Sequence, residues 1–477
     1  MNTTPTRTTV DRSLCAGPQP LTARLEPWMR DLMADHEVCR ALIAEHGSPV
    51  NVIDTAPLAR NIGELRAAAA AHGVDFEVYV ARKANKALAV VDAARAAGAG
   101  VDVASDDELA QVLDRGVEPE KIILTSAVKP PATLRRALDA GVVVSLDNRD
   151  ELDDLLAEAG AGGADVALRI AAQTAGVRPT RFGLAPAEWI EALGVAGDRG
   201  RVAGVHFHLH GYAAADRIAV LGEALAFVDR LRGLGHDVRF VDIGGGIPMT
   251  YLDDRTQWDE FWAAMRARRA DLAAGGALTD ELTWNDDPLG LDGSGGVYPF
   301  WQEATRGPWL EEVLTGRVGG TSVAAALRER GLQLRCEPGR ALLDGCGITL
   351  ASVAFRKKRA DGVPLVGLHM NRTQMRSTSL DVLMDPLLVR APDADGADSV
   401  EAYLVGAYCI EDELILRRRL SFPAGVRRDD VIAFPNTGGY LMHIIESASH
   451  QIPLAANVIR RSNGFERDLI DGTVAGA

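Results

Sequence analysis

Lys83 is the residue of this chain best suited to covalent chemistry. It lies in the run Phe76-Glu-Val-Tyr-Val-Ala-Arg-Lys-Ala-Asn-Lys, after an apolar stretch and before the helix-like run Ala87–Ala97. This order places its amine at the C-terminal end of a buried strand. A desolvated lysine amine has a lowered pKa and can act as a nucleophile that forms a Schiff base. The alternative interpretation is a strand-end lysine that extends into solvent.

A glycine-rich turn follows another apolar strand. Gly244, Gly245 and Gly246 stand in Asp242-Ile-Gly-Gly-Gly-Ile-Pro248. Without side chains, such a turn lets backbone N–H groups approach a phosphate closely. A tight turn without a ligand is the alternative.

The sequence Cys336-Glu-Pro-Gly-Arg340 offers a carboxylate and a guanidinium on one turn. Arg340 has the forked geometry that binds phosphate. Glu337 beside a pyridine nitrogen would keep that nitrogen protonated and make the ring an electron sink. A surface ion pair between the two is the other reading.

Three histidines alternate in His206-Phe-His-Leu-His210. On a strand they share one face, a geometry that metal sites use. No neighbouring carboxylate or cysteine completes a coordination set, so we predict no metal. His208 is interpreted as an imidazole that stacks on a ring, and His206 and His210 as structural.

Bulk composition excludes several classes of function. The chain has 477 residues and a net charge of −15, which argues against nucleic-acid binding. Its five cysteines are odd in number and show no CxxC spacing, which indicates a reduced, cytoplasmic setting. No apolar run approaches ~20 residues, so no membrane segment is predicted.

Short β-branched runs alternate with alanine-rich amphipathic stretches between residues 50 and 250. This rhythm predicts an α/β fold with a TIM-like (β/α)8 barrel. A doubly wound sheet is the alternative, but no GxGxxG opens the first helix. From residue 343 onward, β runs without comparable helices predict a C-terminal β-sandwich or β-barrel domain.

The predicted organisation has four parts. Residues 1–20 form a disordered tail, and residues 21–54 an N-terminal segment that partly joins the β domain. Residues 55–342 form the barrel, and residues 343–477 the β domain. An insertion at 253–310 carries five of the seven tryptophans, which suggests a packed contact surface between subunits.

The motifs together resemble the fold-type III pyridoxal-phosphate (PLP) decarboxylases, the group that acts on diaminopimelate, ornithine and arginine. The resemblance covers about residues 45–460, and its motifs follow the family's order: Tyr79–Asn85, Gly100–Ser105 with Glu108, Arg181–Gly183, Phe207-His208, Asp242–Pro248, Glu337–Arg340, Gly406–Cys409 and Gly438–Tyr440.

The resemblance implies a cofactor, PLP, and a role for each motif. Lys83 would hold PLP through a Schiff base, Glu337 would face its ring nitrogen, and His208 would stack on its ring. Asp102 and Arg169 would lie near the ring. The phosphate would be bound by a further set of residues: Gly244, Gly245, Gly246, Arg340 and Tyr440. Cys409 resembles the cysteine that the family donates across a homodimer interface, where it would protonate a carbanion.

The residues that would read the substrate depart from the family pattern. Arg376, Arg340 and Glu411 are the candidates for substrate binding, with Arg372 as a competitor of Arg376 and Asp412 or Glu413 as further carboxylates that could face a distal amine. The usual tyrosine after Arg376 is missing, and the acid after Cys409 is displaced. We therefore expect decarboxylation of a diaminopimelate-like or other unusual amino acid with a distal polar or charged group. An amino-acid racemase of the same fold type and a non-catalytic regulator are the alternatives.

Overall fold

The computed structural model describes residues 10–293, 296–391 and 397–474. The chain divides into two compact units. The barrel unit comprises Ala56–Pro248 and Ala304–Leu342. The sheet unit comprises Met1–Thr55, Met249–Glu303 and Leu343–Ala477, so it takes most of the segment predicted as an insertion.

The strands of the described residues are, in chain order, β1 (Val50–Ile53), β2 (Phe76–Ala81), β3 (Gly100–Val103), β4 (Ile122–Leu124), β5 (Val143–Leu146), β6 (Ala164–Arg169), β7 (Gly200–His206), β8 (Phe240–Asp242), β9 (Arg317–Val318), β10 (Thr321–Ser322), β11 (Gln333–Cys336), β12 (Gly347–Lys358), β13 (Pro364–Leu368), β14 (Leu387–Val389), β15 (Val400–Val405), β16 (Leu420–Phe422), β17 (Val431–Pro435), β18 (Ala456–Arg461) and β19 (Gly464–Arg467).

The α-helices of the same residues are α1 (Pro27–Met33), α2 (His36–His46), α3 (Ala56–Ala71), α4 (Leu88–Ala96), α5 (Asp106–Asp114), α6 (Pro131–Ala140), α7 (Arg149–Ala159), α8 (Pro186–Ala196), α9 (Ala214–Gly233), α10 (Arg255–Ala273), α11 (Arg306–Thr315), α12 (Val323–Glu329) and α13 (Ile470–Val474). None of these helices is both long and apolar enough to cross a membrane.

The barrel unit holds a closed barrel of parallel strands in the order β11-β2-β3-β4-β5-β6-β7-β8. Helices α4 to α9 alternate with these strands along the chain. The predicted eight-stranded α/β barrel and the separate β domain are confirmed. In such a barrel the carboxyl ends of all strands open on one face, where loop residues from many strands converge.

Polar residues end the strands and begin the next helices. After β3, the Ser105 hydroxyl accepts a hydrogen bond from Glu108 N at 3.2 Å and so caps α5. After β5, the Asn148 side chain accepts one from Glu151 N at 2.9 Å and caps α7. These caps satisfy N–H groups that a helix leaves unpaired in its first turn, and they fix where each strand stops.

The sheet unit is built on a mixed sheet of nine strands. Strand β1 lies between β12, to which it is antiparallel, and β18, to which it is parallel. Helices α1 and α2 bury Trp28, Met29 and Leu42 against this sheet, with Val50 and Ile348 among the residues beneath them. The short N-terminal strand is therefore an integral part of this unit's core.

Residues 10–20 differ from the predicted disordered tail, while residues 1–9 lie outside the described part. Ala16 forms a β-bridge with Ser421, and Cys15 is buried. Leu21 N donates to a carboxylate oxygen of Asp385 at 2.8 Å. The polar composition of this segment concealed these contacts, because backbone pairing to a distant strand leaves no local pattern.

Candidate active site

Lys83 follows β2 in a single helical turn, Arg82–Ala84. Its Nζ lies 2.5 Å from Oδ2 of Asp102, whose side chain is fully buried. Asp102 is on the neighbouring strand β3, where it pairs with Ala81 of β2. The other oxygen of Asp102 accepts a hydrogen bond from the Thr125 hydroxyl. The amine is therefore held at the carboxyl end of the barrel by a fixed carboxylate.

The turn that carries Glu337 is tied to the same strand end. Ala81 N donates to Pro338 O at 3.3 Å, and Glu337 N donates to Gly244 O at 2.9 Å. The Lys83 strand, the Glu-Pro-Gly-Arg turn and the glycine loop thus share backbone hydrogen bonds. Arg340 ends this turn and is half-buried.

Arg169 ends β6 and is buried. Its Nη1 lies 3.0 Å from Asp147 Oδ1, its Nη2 donates to Thr125 O, and its Nε donates to His206 Nδ1 at 3.4 Å. These contacts hold the guanidinium in one position among the polar residues at the carboxyl ends of the barrel strands.

Three buried polar side chains meet near the ends of β7, β8 and β11. The ligand atoms of His206, Asp242 and Glu337 lie within 4.8 Å of one another. Burial raises the pKa of Asp242. Burial and then the neighbouring carboxylate of Asp102 raise the pKa of Glu337. Burial and then the Arg169 charge lower the pKa of His206 well below its usual value. By distance alone the cluster could hold a cation or accept a ring N–H.

One atom of this cluster tests the fit of the predicted cofactor. Glu337 Oε1 is buried and has no hydrogen-bond partner among the described residues. A buried carboxylate oxygen without a partner is costly, and a protonated pyridine nitrogen is a donor that would satisfy it. The site therefore fits a pyridinium ring at this position.

His208 presents a neutral imidazole beside this cluster. Burial and then the Lys83 charge lower its pKa to about 3. Phe182 packs edge-on against it, with ring centroids 5.8 Å apart. A Cβ at Gly244 would lie 2.9 Å from His208 Nδ1, so only glycine at that position leaves the imidazole in place.

The glycine loop supplies unequal donors. Gly244 N donates to Asp242 Oδ1 at 2.8 Å, so this N–H is already used. Within the described parts of the chain, no hydrogen bond is made by the N–H groups of Gly245 and Gly246. Gly244 and Gly246 have φ values of +66° and +76°, which favour glycine. Two successive free N–H groups form an anion-binding turn.

The remaining predicted residues belong to the sheet unit. Tyr440 is half-buried with φ +70°, while Cys409 and Glu411 are exposed. Arg376 is half-buried, and its Nη2 donates to the carbonyls of Leu414 and Ile415 at 2.9 and 3.2 Å. Its guanidinium thus also fastens the chain segment that follows Cys409.

Glu413, one of the acids that the sequence offers for binding a distal amine, belongs to this segment. It is buried, its Oε1 accepts a hydrogen bond from Arg372 N at 2.8 Å, and its Oε2 has no hydrogen-bond partner in the described residues. Burial raises its pKa. The available signal was its position: Glu411 and Asp412 before it are exposed, and the apolar residues Leu414, Ile415 and Leu416 after it are buried.

Sequence reasoning also missed Thr125, Asp147 and the contact of His206 with Ser145, whose Oγ lies 2.7 Å from Nδ1. Thr125 and Asp147 stand just after β4 and β5. Their signal is a polar residue directly after an apolar strand, which in a barrel marks the functional face.

The sequence of the chain is similar to known proteins. A sequence model of the family described as "Pyridoxal-dependent decarboxylase, pyridoxal binding domain" matches residues 59–281. The "Uncharacterized protein y4yA" of Sinorhizobium fredii is 30% identical over 421 residues, which cover 87% of this chain and 88% of that protein. The diaminopimelate decarboxylase of Pseudomonas aeruginosa is 32% identical over 243 residues, which cover 47% of this chain and 58% of that enzyme.

Solved structures show the same fold. The diaminopimelate decarboxylase from m. jannaschii in complex with L-lysine superposes with a TM-score of 0.70 at 18% identity, covering 94% of each chain. The chain belongs to the fold-type III family of pyridoxal-dependent amino-acid decarboxylases.

Proposed function

We propose that this protein is a PLP-dependent decarboxylase of an amino acid with a distal polar or charged group. The observation that carries the proposal is the arrangement of Lys83, paired with buried Asp102, on the same barrel mouth as the unsatisfied Glu337 oxygen. A lysine side chain that can form a Schiff base and a buried ring-nitrogen acceptor are the two groups that this cofactor requires from a protein.

The residues that would hold the cofactor follow from the site. Lys83 would bind its aldehyde carbon, Glu337 its ring nitrogen, and His208 one face of its ring. Asp102 and Arg169 would lie at the ring's edge. The phosphate would be held by Gly244, Gly245 and Gly246 with Arg340 and Tyr440, of which the free N–H groups of Gly245 and Gly246 are the available backbone donors.

PLP, when bound, acts as an electron sink for the electron pair left behind by a departing carboxylate. Glu337 would stabilise the protonated ring nitrogen from its buried position. Lys83 would hold the cofactor's aldehyde carbon until the amine of a substrate takes its place, and the lysine amine would then be released. A substrate carboxylate placed in the water-poor mouth would lose hydration, which favours release of CO₂.

A proton must then reach the substrate Cα. We propose that the Cys409 thiol donates it. Cys409 alone of the five cysteines, all of which the structure describes, is exposed. An exposed thiol on the sheet unit is available to a second copy of the chain, so we propose a homodimer with active sites at its interface.

Substrate choice would rest on the sheet unit and Arg340. Arg376, Arg340 and Glu411 are the proposed contacts of the distal group and the carboxylates. Glu413 joins them because its buried Oε2 makes no hydrogen bond in the described residues, and the nearby Arg372 Nε, 3.8 Å away, would have to make room for a distal amine.

The test combines a spectrum with a product assay. The purified protein, supplied with PLP, should show the visible absorption band that PLP acquires on binding a lysine, and it should release CO₂ from one member of a panel of basic and dicarboxylic amino acids. Lys83→Ala should lose both properties, while Lys86→Ala, three residues away, should keep them.

Three results would contradict the proposal. A wild-type protein without the band after PLP addition would exclude the cofactor. A band without CO₂ release from any substrate of the panel would favour the non-catalytic regulator. In D₂O, a product that keeps its carboxylate and carries Cα deuterium in both enantiomers would establish a racemase instead.

A further inference from the structure

Arg217, on α9, lies directly beneath the glycine loop of the barrel unit. Its side chain is fully buried. Its Nη2 donates to the carbonyl oxygens of Gly211 at 2.8 Å, Leu209 at 3.3 Å and Gly245 at 3.4 Å. A Cβ added to Gly246 would lie 2.2 Å from the same nitrogen, so the guanidinium and the loop are in van der Waals contact.

No negatively charged group of the described residues lies within ion-pair distance of the Arg217 guanidinium. Its Nε and Nη1 are buried without a hydrogen-bond partner among the described residues. No carboxylate of those residues comes within ion-pair distance, and Asp216 on the same helix attracts it only at longer range. Burial lowers its pKa to about 10, so it remains charged at neutral pH. Its carbonyl acceptors and the Trp309 ring, whose centroid lies 5.9 Å from Cζ, replace part of the lost hydration, but a buried arginine is normally also paired with a negative charge.

The contacts of Arg217 also orient the loop. By holding the carbonyls of Gly211 and Gly245, the guanidinium directs those oxygens toward itself. The N–H groups of Gly245 and Gly246 make no hydrogen bond within the described chain. Free backbone donors above a buried cation form a site for a small, multiply charged anion.

We propose that Arg217 is the buried counter-charge of the phosphate group bound by the Gly244–Gly246 loop. The inference rests on the proposed function, since that phosphate is the one PLP carries. Arg217 would act through the loop, because it positions the N–H donors and adds positive potential. Arg340 would make the direct contact with the phosphate through its guanidinium. The sequence does not indicate this role, because Arg217 lies on the helix after β7 whereas the loop follows the next strand, β8, so no common motif joins them.

The test compares two ligands that differ only in the phosphate. Dissociation constants of PLP and of pyridoxal are measured on the apoprotein of the wild type, Arg217→Met and Arg217→Gln. We expect both neutral variants to bind PLP about 100-fold more weakly, as when one member of a buried charge pair is removed. Pyridoxal affinity should change less than about 3-fold. Arg230→Met, an exposed arginine on the same helix, should match the wild type.

A second readout uses inorganic phosphate alone. Phosphate at matched ionic strength should raise the melting temperature of the wild-type apoprotein and leave that of Arg217→Gln unchanged. The ligand-free Arg217→Gln protein should be at least as stable as the wild type, because a buried unpaired charge has been removed.

Each outcome decides the matter. Equal losses of PLP and pyridoxal affinity, no loss of either, or the collapse of both neutral variants would overturn the role of Arg217. A wild-type apoprotein that ignores PLP but is stabilised by phosphate through Arg217 would refute the proposed function and leave this anion site standing.

Discussion

His206 Nε2 lies 3.6 Å from Glu337 Oε1, and both atoms are buried without a hydrogen-bond partner in the described part of the chain. On the other side of the ring, Nδ1 accepts from Arg169 Nε, which can only donate. The proton of neutral His206 therefore lies on Nε2 and faces Glu337. The imidazole supplies a weak dipole, not a full charge, to a carboxyl whose pKa burial has raised.

Glu337→Gln should stabilise the ligand-free protein in a pH-dependent way. Because the folded-state pKa of Glu337 is raised, its folded form binds more protons than the unfolded chain, and stability falls as pH rises toward that pKa. The amide avoids this loss. The free energy of unfolding of Glu337→Gln relative to the wild type should therefore grow as the pH rises from 5 to 8.

Urea unfolding of the apoproteins at several pH values measures this difference, with Glu329→Gln, at an exposed site on α12, as the control. CO₂ release should fall on the order of 100-fold in Glu337→Gln with bound cofactor. A stability difference that is the same at pH 5 and pH 8 would show that the pKa of Glu337 is not raised in the folded protein.

Replacing His208 by Phe should make the protein less sensitive to acid. The folded-state pKa of His208 is about 3, whereas the unfolded imidazole takes up a proton below about pH 6.5. Wild-type stability should therefore fall as the pH drops from 6.5 toward 3. His208→Phe should remove about 1–2 kcal/mol of the loss between pH 7 and pH 5, after allowance for solvent screening.

Thermal unfolding of the apoproteins between pH 5 and pH 8 reports this effect. His210→Phe is the matched control, since His210 is exposed two residues away. If His208→Phe retains the full acid loss of the wild type, the imidazole is not held neutral in the folded protein.

Much of the barrel could be predicted because its pattern is local. The amphipathic stretches between the barrel strands predict helices at Asp106–Arg115, Pro131–Ala140 and Arg149–Ala159, and α5, α6 and α7 coincide with them to within one residue at each end. Each has a polar or proline start and an apolar stripe, which short-range sequence encodes directly. Lys83 and Glu337 could be found for the same reason, since each follows an apolar strand.

Long-range pairings could not be predicted. Val50 of β1 pairs with Leu350 of β12, and no local feature encodes a partner some 300 residues away. The apolar run Leu414–Leu420 predicts a strand, but it carries only isolated β-bridges at Leu414 and Arg418, and β16 spans Leu420–Phe422. At the site, the same limit concealed the contacts of His206, which the sequence analysis interprets as structural, and those of Arg217, because their partners come from other strands and loops of the barrel unit.

Asp102→Asn should let Lys83 react at lower pH. The carboxylate 2.5 Å from Nζ stabilises the ammonium form, which is not a nucleophile. With a neutral amide in its place, the apoprotein should be modified by pyridoxal with its half-maximal rate shifted down by about 1–2 pH units. Reduction with cyanoborohydride and mass spectrometry locate and quantify the modified lysine.

Asp107→Asn, an exposed carboxylate on α5, should leave that pH profile unchanged. The double variant Asp102→Asn with Lys83→Ala should carry no label at this position. An Asp102→Asn profile identical to that of the wild type would mean that the Lys83–Asp102 contact does not control the amine.

Subunit complementation should reveal whether Cys409 serves the partner's site. If each active site combines Lys83 of one copy with Cys409 of the other, Lys83→Ala and Cys409→Ala homodimers are both inactive, and a heterodimer retains one intact site. After unfolding and refolding of an equal mixture, half of the dimers are heterodimers, so CO₂ release should recover to about a quarter of the wild-type value.

Mixing without subunit exchange is the control. Recovery that stays at the level of the separate variants would place Cys409 outside a shared site, because both groups would then have to come from the same copy.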